Sequence, residues 1–186
     1  MLVKEILSLS AELLDDCDLK TYIETGACND EESAKQNYVL LLKCYNLVAD
    51  EISREYFPLT TVETFTPDNG VILYENFTFN PVFNKSVTTL DGNKADCKIH
   101  LVRIFTNSTV KVEYAYSCPE RSYNDISDFT LTKVSKRVLA YGVVVEYCLI
   151  KGMFEEAVMW RDKYNSGLSA CLSVRKIPKI KNRMWY

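Results

Sequence analysis

The sequence predicts an α+β protein, in which an antiparallel helical bundle carries an inserted small antiparallel β domain and an extended C-terminal arm. Apolar residues recur at helical spacing before residue 58 and after residue 128, and they alternate at strand spacing in between. The simplest arrangement of this order is one bundle interrupted by a β insertion. The predicted units are 1–58, the first bundle helices; 59–118, the β domain; 119–174, a helical hairpin; and 175–186, the arm.

The first unit contains amphipathic helical segments. Apolar positions predict a helix over Leu2–Leu14, and Thr25-Gly26 separates it from the next segment. Asn29 or Asp30 is suited to cap the following helix, which Pro58 ends. The buried stripe of that helix is predicted to be Tyr38, Leu41, Tyr45, Val48 and Ile52, broadened by Leu42 and Cys44.

The middle unit has the pattern of antiparallel strands. Pro67-Asp68-Asn69-Gly70 and Asp91-Gly92 are turn signals, and in Val110–Tyr116 valine and tyrosine alternate with other residues, so one face should be buried. The block is long enough for a small sandwich or barrel. The predicted strands are Val62–Phe65, Val71–Tyr74, Phe77–Phe83, Val87–Leu90, Lys98–Phe105 and Val110–Tyr116.

Two further helices are predicted after residue 125. Asp128 is placed to cap a helix from Phe129 to Lys151, and Lys151-Gly152 joins it to a second helix over Met153–Val174. Because this link is short, the two helices should pack antiparallel. Gly142 costs about 1 kcal/mol relative to Ala inside a helix, so we expect a close helix contact there. The predicted buried residues are Val134, Val138, Tyr141, Val145 and Leu149, then Phe154, Val158, Trp160, Tyr164 and Leu168.

The last dozen residues are the most informative stretch. They read RKIPKIKNRMWY, with five Lys/Arg, no acid and an aromatic end. Pro178 cannot continue a helix, so an extended basic arm is predicted. A docked Trp buries roughly 150–250 Å², which suits an anchor on another molecule. The alternative is a frayed, solvated tail, which is a common fate of chain ends.

Composition narrows the class of protein. The chain has 186 residues, 47% of them apolar and 25% charged, which fits one globular domain with an insertion. A net charge of −3 does not favour nucleic acid as the main partner, although residues 1–32 are rich in acids and the end is basic. The seven cysteines lack a CxxC pair and indicate reduced thiols in a cytosolic setting. No apolar run approaches the roughly 20 residues of a membrane span.

Few residues suggest catalysis or metal binding. His100 is the only histidine, and no Cys or Ser motif pairs with it. The acidic pairs Asp15/Asp16, Glu31/Glu32 and Glu155/Glu156 are adjacent residues, which diverge by about 100° on a helix. The sequence has no P-loop and no dinucleotide fingerprint. We therefore predict no catalytic, cofactor or metal site, and an enzyme is the minority reading.

Several stretches together resemble head–tail adaptor (connector) proteins of tailed bacteriophages. The strongest is Ala140–Cys148 followed by Gly152–Ala157; Tyr56–Leu59, Asn69–Tyr74, Val112–Tyr116 and Lys179–Trp185 add to it. These are loose patterns spread over most of the chain. The resemblance implies a virion protein of the neck that forms a ring, usually of twelve subunits, beneath the portal protein. It also implies contact with a tail or neck protein and double-stranded DNA passing through the lumen without sequence-specific binding.

The resemblance further implies that the C-terminal arm docks on the portal. In that reading the basic side chains meet acidic grooves, and the apolar ones fill pockets. The predicted docking residues are Arg175, Lys176, Ile177, Pro178, Lys179, Ile180, Lys181, Arg183, Met184, Trp185 and Tyr186.

Other functions stay open from the sequence. A stopper or another neck protein would contact the adaptor and not the portal. A β-domain module for carbohydrate or a receptor would expose aromatic side chains among Tyr74, Phe77, Phe79 and Phe83, whereas a core role would bury them.

Overall fold

The computed structural model describes residues 1–100 and 102–172. This part of the chain confirms the α+β class, with five α-helices and two small antiparallel sheets. The helices are α1 (Val3–Leu13), α2 (Cys17–Thr25), α3 (Glu31–Glu51), α4 (Lys136–Lys151) and α5 (Phe154–Leu172). The strands are β1 (Leu59–Phe65), β2 (Val71–Leu73), β3 (Pro81–Thr89), β4 (Lys98–His100), β5 (Arg103–Phe105) and β6 (Val110–Tyr116). None of these helices is long and apolar enough to cross a membrane.

The first unit contains one helix more than predicted. Asp15 adopts a positive φ of 56°, and Asp16 then caps α2 by accepting the Leu19 N–H at 2.9 Å. Gly26 ends α2 in the left-handed conformation. Asp30 caps α3 as predicted, accepting the Ser33 N–H at 3.3 Å. A short cap-and-glycine frame thus produced a helix that apolar periodicity alone did not signal.

The β domain is built from two three-stranded sheets, with orders β1-β6-β3 and β2-β5-β4. The turn at residues 67–70 is present, but it joins strands of different sheets. Lys98–Phe105 is not one strand; it forms the antiparallel pair β4 and β5. Phe77 is not in a strand either, because its ring turns into the core and stacks on Phe65 at 4.3 Å between centroids. β3 begins only at Pro81 and runs unbroken through Val87 to Thr89.

Both sheets contribute to one small core. Val110, Val112 and Tyr114 of β6 are fully buried, as their alternation predicted, and Ile104 meets them from the other sheet. The Tyr114 hydroxyl donates to the Glu63 carboxylate at 2.5 Å, so its burial leaves no unpaired oxygen. The β domain therefore has a core of its own, separate from that of the bundle.

The predicted start of the first helix of the hairpin, at Phe129, was wrong. α4 begins at Lys136, where the Ser135 hydroxyl accepts the Val138 N–H at 3.3 Å. Asp128 caps no long helix. It opens a short 3₁₀ turn whose cap is Ser127, and its carboxylate is bound to Arg121.

α4 is the central helix of the bundle. It packs against α1, α3 and α5, and its residues are buried on nearly every side, including Cys148. Cys44 of α3 is buried beside it, so both cysteines are core residues as predicted, and all seven thiols are free. The predicted buried stripe of this helix was too narrow, because neighbouring helices cover α4 on more than one side.

α4 and α5 form the predicted antiparallel hairpin, joined through Gly152 in the left-handed conformation. Trp160, Tyr164 and Leu168 of α5 are buried, as expected. Phe154 and Val158 are not: they are 65% and 59% exposed. α5 is an outer helix, and only the stripe that faces α4 and α3 is covered.

Gly142 lies where three helices approach most closely. A Cβ atom at this position would stand 2.7 Å from Val48 Cγ1 on α3 and 2.9 Å from Tyr164 Cε2 on α5. The expected close helix contact is therefore confirmed. Glycine loses helix propensity here but lets both neighbours reach the α4 backbone.

We expect Gly142→Ala to destabilise the protein by about 1–2 kcal/mol, because the added methyl group overpacks this contact at a cost of about 1–3 kcal/mol and the helix-propensity gain of about 1 kcal/mol offsets only part of that cost. Urea unfolding followed by far-UV circular dichroism measures the change. Ser169→Ala, at an exposed position of α5, is the control and should leave the midpoint nearly unchanged. An alanine variant at 142 as stable as the wild type would contradict the close packing.

Candidate interaction surfaces

The predicted docking arm, residues 175–186, lies outside the described residues. The last described residue is Leu172 of α5, three residues before the first predicted docking residue. The structural surfaces that can be examined are therefore those of the bundle and the β domain.

Large apolar side chains are exposed where α4 turns into α5. Ile150 is 54% exposed just before the turn, and Phe154 and Val158 follow on the first turns of α5. Phe154 and Val158 are four residues apart, so they are neighbours on one flank of the helix. We call Ile150, Phe154, Glu155, Glu156 and Val158 the hairpin tip. Exposed apolar side chains grouped on one helix flank make this turn a candidate protein interaction site.

Carboxylates surround the hairpin tip. Glu155 and Glu156 are exposed in the first turn of α5, where the helix dipole favours negative charge. Lys151 donates to Asn37 Oδ1 at 2.9 Å, which places the N-terminal part of α3, with exposed Glu31, at the same end of the bundle. Burial, together with the nearby Asp16 carboxylate, raises the pKa of Tyr147 in the last turn of α4. This end of the bundle is therefore acidic as well as apolar.

The aromatic side chains of the β domain mostly face inward. Phe77 is 8% exposed, and Phe79 stacks on Tyr116 with centroids 4.4 Å apart. The hydroxyl of Tyr74 is hydrogen-bonded to the side-chain amide of Asn84. Of the four residues that a carbohydrate or receptor module would present, only Phe83 is largely exposed, at 44%. Phe105 of β5, in the other sheet, is also exposed, at 39%, so the four predicted rings do not by themselves form a platform for stacking a ligand.

His100 lies on β4, opposite Arg103 of β5, and is exposed. Among residues 1–100 and 102–172, no group of three or more His, Cys, Asp and Glu side chains could hold a metal ion. The acidic pair Glu155/Glu156 lies on the hairpin tip and not in a cleft with His100.

A cluster that the sequence analysis missed fastens the β domain to the bundle. We call it the domain clasp: Asn46, Ser53, Cys118, Arg121 and Asp128. The Asn46 amide donates to Arg121 O at 3.2 Å and accepts the Arg121 N–H at 2.9 Å, while the Ser53 hydroxyl accepts the Cys118 N–H at 2.9 Å. Arg121 binds both oxygens of Asp128 at 2.7 and 2.5 Å.

The domain clasp stabilises the structure, and its cysteine is not a reactive thiolate. Burial and the adjacent Asp128 carboxylate raise the pKa of the Cys118 thiol, so it stays protonated and donates to Asp128 at 3.2 Å. The sequence separation of 75 residues between Asn46 and Arg121 gave no local signal for this contact.

Comparison with known proteins adds no relative: no family model matches the chain, and no curated protein matches it.

We expect Asp128→Asn to destabilise the protein by about 2 kcal/mol, because it weakens a charge-assisted, bidentate pair whose carboxylate is only 12% exposed. Asp50→Asn is the matched control, since Asp50 pairs with Arg54 at a site where both side chains are at least 40% exposed. That change should cost no more than about 0.5 kcal/mol. Equal losses in urea unfolding would show that the Arg121–Asp128 pair contributes no more than a surface ion pair.

Proposed function

We propose that the protein is a structural virion subunit: a head–tail adaptor of a tailed bacteriophage. In this role it forms a ring beneath the portal, extends the DNA channel and offers a platform to a tail or neck protein. The observed fold, a helical bundle with an inserted β domain, is the α+β arrangement that the sequence predicts. The observation that carries the proposal is the hairpin tip.

The hairpin tip supports an assembly role because its apolar side chains are more than half exposed within the described chain. Phe154, the most exposed of them at 65%, lies beside Val158 on an outer helix. Covering such groups gives about 25 cal/mol per Å². A ring gives every subunit a neighbour that can cover them, through a heterologous contact that closes.

In this proposal, the C-terminal arm is the segment that binds the portal protein. Its five Lys/Arg and its Trp185 and Tyr186 suit a partner with acidic grooves and apolar pockets. Twelve arms that each bind weakly would hold a ring strongly, because the first contact raises the effective concentration of the rest.

The acids of the first 32 residues support passage of DNA without retention. Asp18, Glu24, Asp30, Glu31 and Glu32 are all exposed. If this surface lines the lumen, like charge keeps DNA from adhering to the wall.

We expect the double variant Phe154→Ser/Val158→Ser to weaken ring formation on the portal at least tenfold while leaving the subunit folded, because both side chains are exposed in the monomer. Negative-stain microscopy of portal mixed with purified protein counts the rings, and thermal unfolding checks the fold. Val62→Ser is the control: this β1 residue is equally exposed, at 59%, but lies in the β domain. Rings of normal number with the double variant would remove the hairpin tip from the assembly.

The proposed function as a whole is tested by deleting residues 177–186. The truncated protein should keep the unfolding curve of the full chain but fail to join portal-containing, DNA-filled heads, because the proposed anchor is gone. Crosslinking of the full chain in particles should then give portal as its neighbour. Normal incorporation of the truncated protein, or crosslinks to an adaptor and not to portal, would contradict the proposal; the second result would favour a stopper.

A further inference from the structure

The end of the bundle opposite the hairpin tip has exposed apolar and cationic side chains, and Glu5 and Glu24 lie at the same end beside Lys136. Leu131 is 98% exposed and Ile126 is 63% exposed, both in the connection that precedes α4. Lys133 and Arg137 are exposed beside them, and neither forms an ion pair within residues 1–100 and 102–172. The sequence has no carboxylate between Asp128 and Glu146. We call Ile126, Leu131, Lys133 and Arg137 the basic end.

The hairpin tip and the basic end lie at the two ends of α4. This helix has 16 residues and is therefore about 24 Å long. The last turn of α5 is near the basic end, because the Cys171 thiol donates to Lys133 O at 3.3 Å. Lys136 is not counted with the basic end, since it borders a depression shared with Glu5 and Glu24.

We propose that the hairpin tip of one subunit docks on the basic end of a second copy of this chain. Glu155 faces Lys133 and Arg137 across this contact, with Glu156 at its edge, and Phe154 and Val158 cover Leu131 and Ile126. The inference rests on the proposed ring and names the contact that builds it.

Two properties select a second copy as the occupant. The two surfaces carry opposite charges, and both have exposed apolar side chains that can cover each other. Their separation along α4 prevents them from meeting within one subunit. A contact between two different surfaces of identical chains is heterologous, and it closes into a ring when the rotation between neighbours permits.

Nucleic acid is a weaker candidate for the basic end. The two cations that define it, Lys133 and Arg137, are few for a phosphate backbone, and exposed leucine and isoleucine side chains have no partner there. DNA binding is therefore an outcome of the test and not the proposal.

Charge reversal tests the contact in purified full-length protein. The tip-reversed variant is Glu155→Lys/Glu156→Lys, and the base-reversed variant is Lys133→Glu/Arg137→Glu. Sedimentation equilibrium in low salt, up to about 1 mM protein, measures association in the range expected for a single weak contact. Each variant alone should associate at least tenfold more weakly than wild type, because like charges then face each other.

Association should return when the two variants are mixed, since the reversed tip of one then meets the reversed base of the other. The fourfold variant with both reversals should associate as wild type does. Carbodiimide coupling should join Glu155 or Glu156 to Lys133 of another molecule, identified by mixing isotopically labelled and unlabelled wild type. Lys98→Glu/Arg103→Glu and Asp91→Lys/Asp96→Lys, matched changes at exposed positions of the β domain, should leave association unchanged.

Any of three results would overturn the inference: wild type that remains monomeric at about 1 mM, reversals that leave association unchanged, or mixed variants that fail to recover it. A base-reversed variant that loses only binding to a DNA duplex would assign the basic end to nucleic acid and overturn it too. Thermal unfolding excludes misfolding, since Lys in the first turn of α5 costs only about 0.3–1 kcal/mol per residue. The deletion of residues 177–186 tests portal docking and does not test this contact. The contact can therefore fail its test while the proposed portal docking is still supported.

Discussion

The close packing around Gly142 is the constraint on which the rest of the molecule depends. With Val48 of α3 and Tyr164 of α5 both within 3 Å of where a Cβ would stand, α4 has neighbours at backbone distance on two sides. A second glycine, Gly167 of α5, allows a similar approach to Val138. Because α3 and α5 each pack antiparallel to α4, residues distant in sequence meet at the two ends of the bundle. The acidic hairpin tip and the basic end are consequences of that alignment.

The domain clasp performs the corresponding task for the β insertion. The chain leaves the bundle after residue 58 and returns 60 residues later, at residue 118. The outgoing and the returning segments must therefore be held side by side. The hydrogen bonds of Asn46 and Ser53 satisfy backbone groups of the returning segment, and the Arg121–Asp128 pair fixes its turn toward α4. Removing one partner from such a site leaves a half-buried polar group unpaired, which costs more than the intact bond contributes. The β domain has its own core, but its placement relative to the bundle depends on this small polar set.

Sequence reasoning recovered what local chemistry encodes. The Asp30 cap, the Gly152 turn and the alternation in β6 depend on residues adjacent in sequence, and Gly142 signalled its close contact by standing inside a helical pattern. It missed what depends on distant contacts. α2 has little apolar periodicity. Asp128 has the sequence position of a helix cap, but its carboxylate binds Arg121. β1 and β2 flank a turn, yet each pairs with a different strand.

The hairpin tip shows why candidate surfaces are the hardest feature to predict. Phe154 and Val158 have the spacing of a buried stripe, and only the position of α5 at the outside of the bundle reveals that nothing in the described chain covers them. The arm was the opposite case, since its composition alone singled it out. An apolar side chain is predicted buried by default, so the sequence conceals an interface wherever the partner is another molecule.

The distribution of charge carries more information about assembly than its sum. A net charge of −3 is small, and a uniform surface of that charge would neither attract nor repel a second copy strongly. Placing Glu155 and Glu156 at one end of α4 and Lys133 and Arg137 at the other gives each subunit a direction without changing the total. Two subunits that meet tip to tip or base to base repel each other, while a tip that meets a base is attracted, so the same charges that favour one contact exclude the alternatives. Under the proposed contact, this arrangement favours head-to-tail addition, which is the geometry that a closed ring requires.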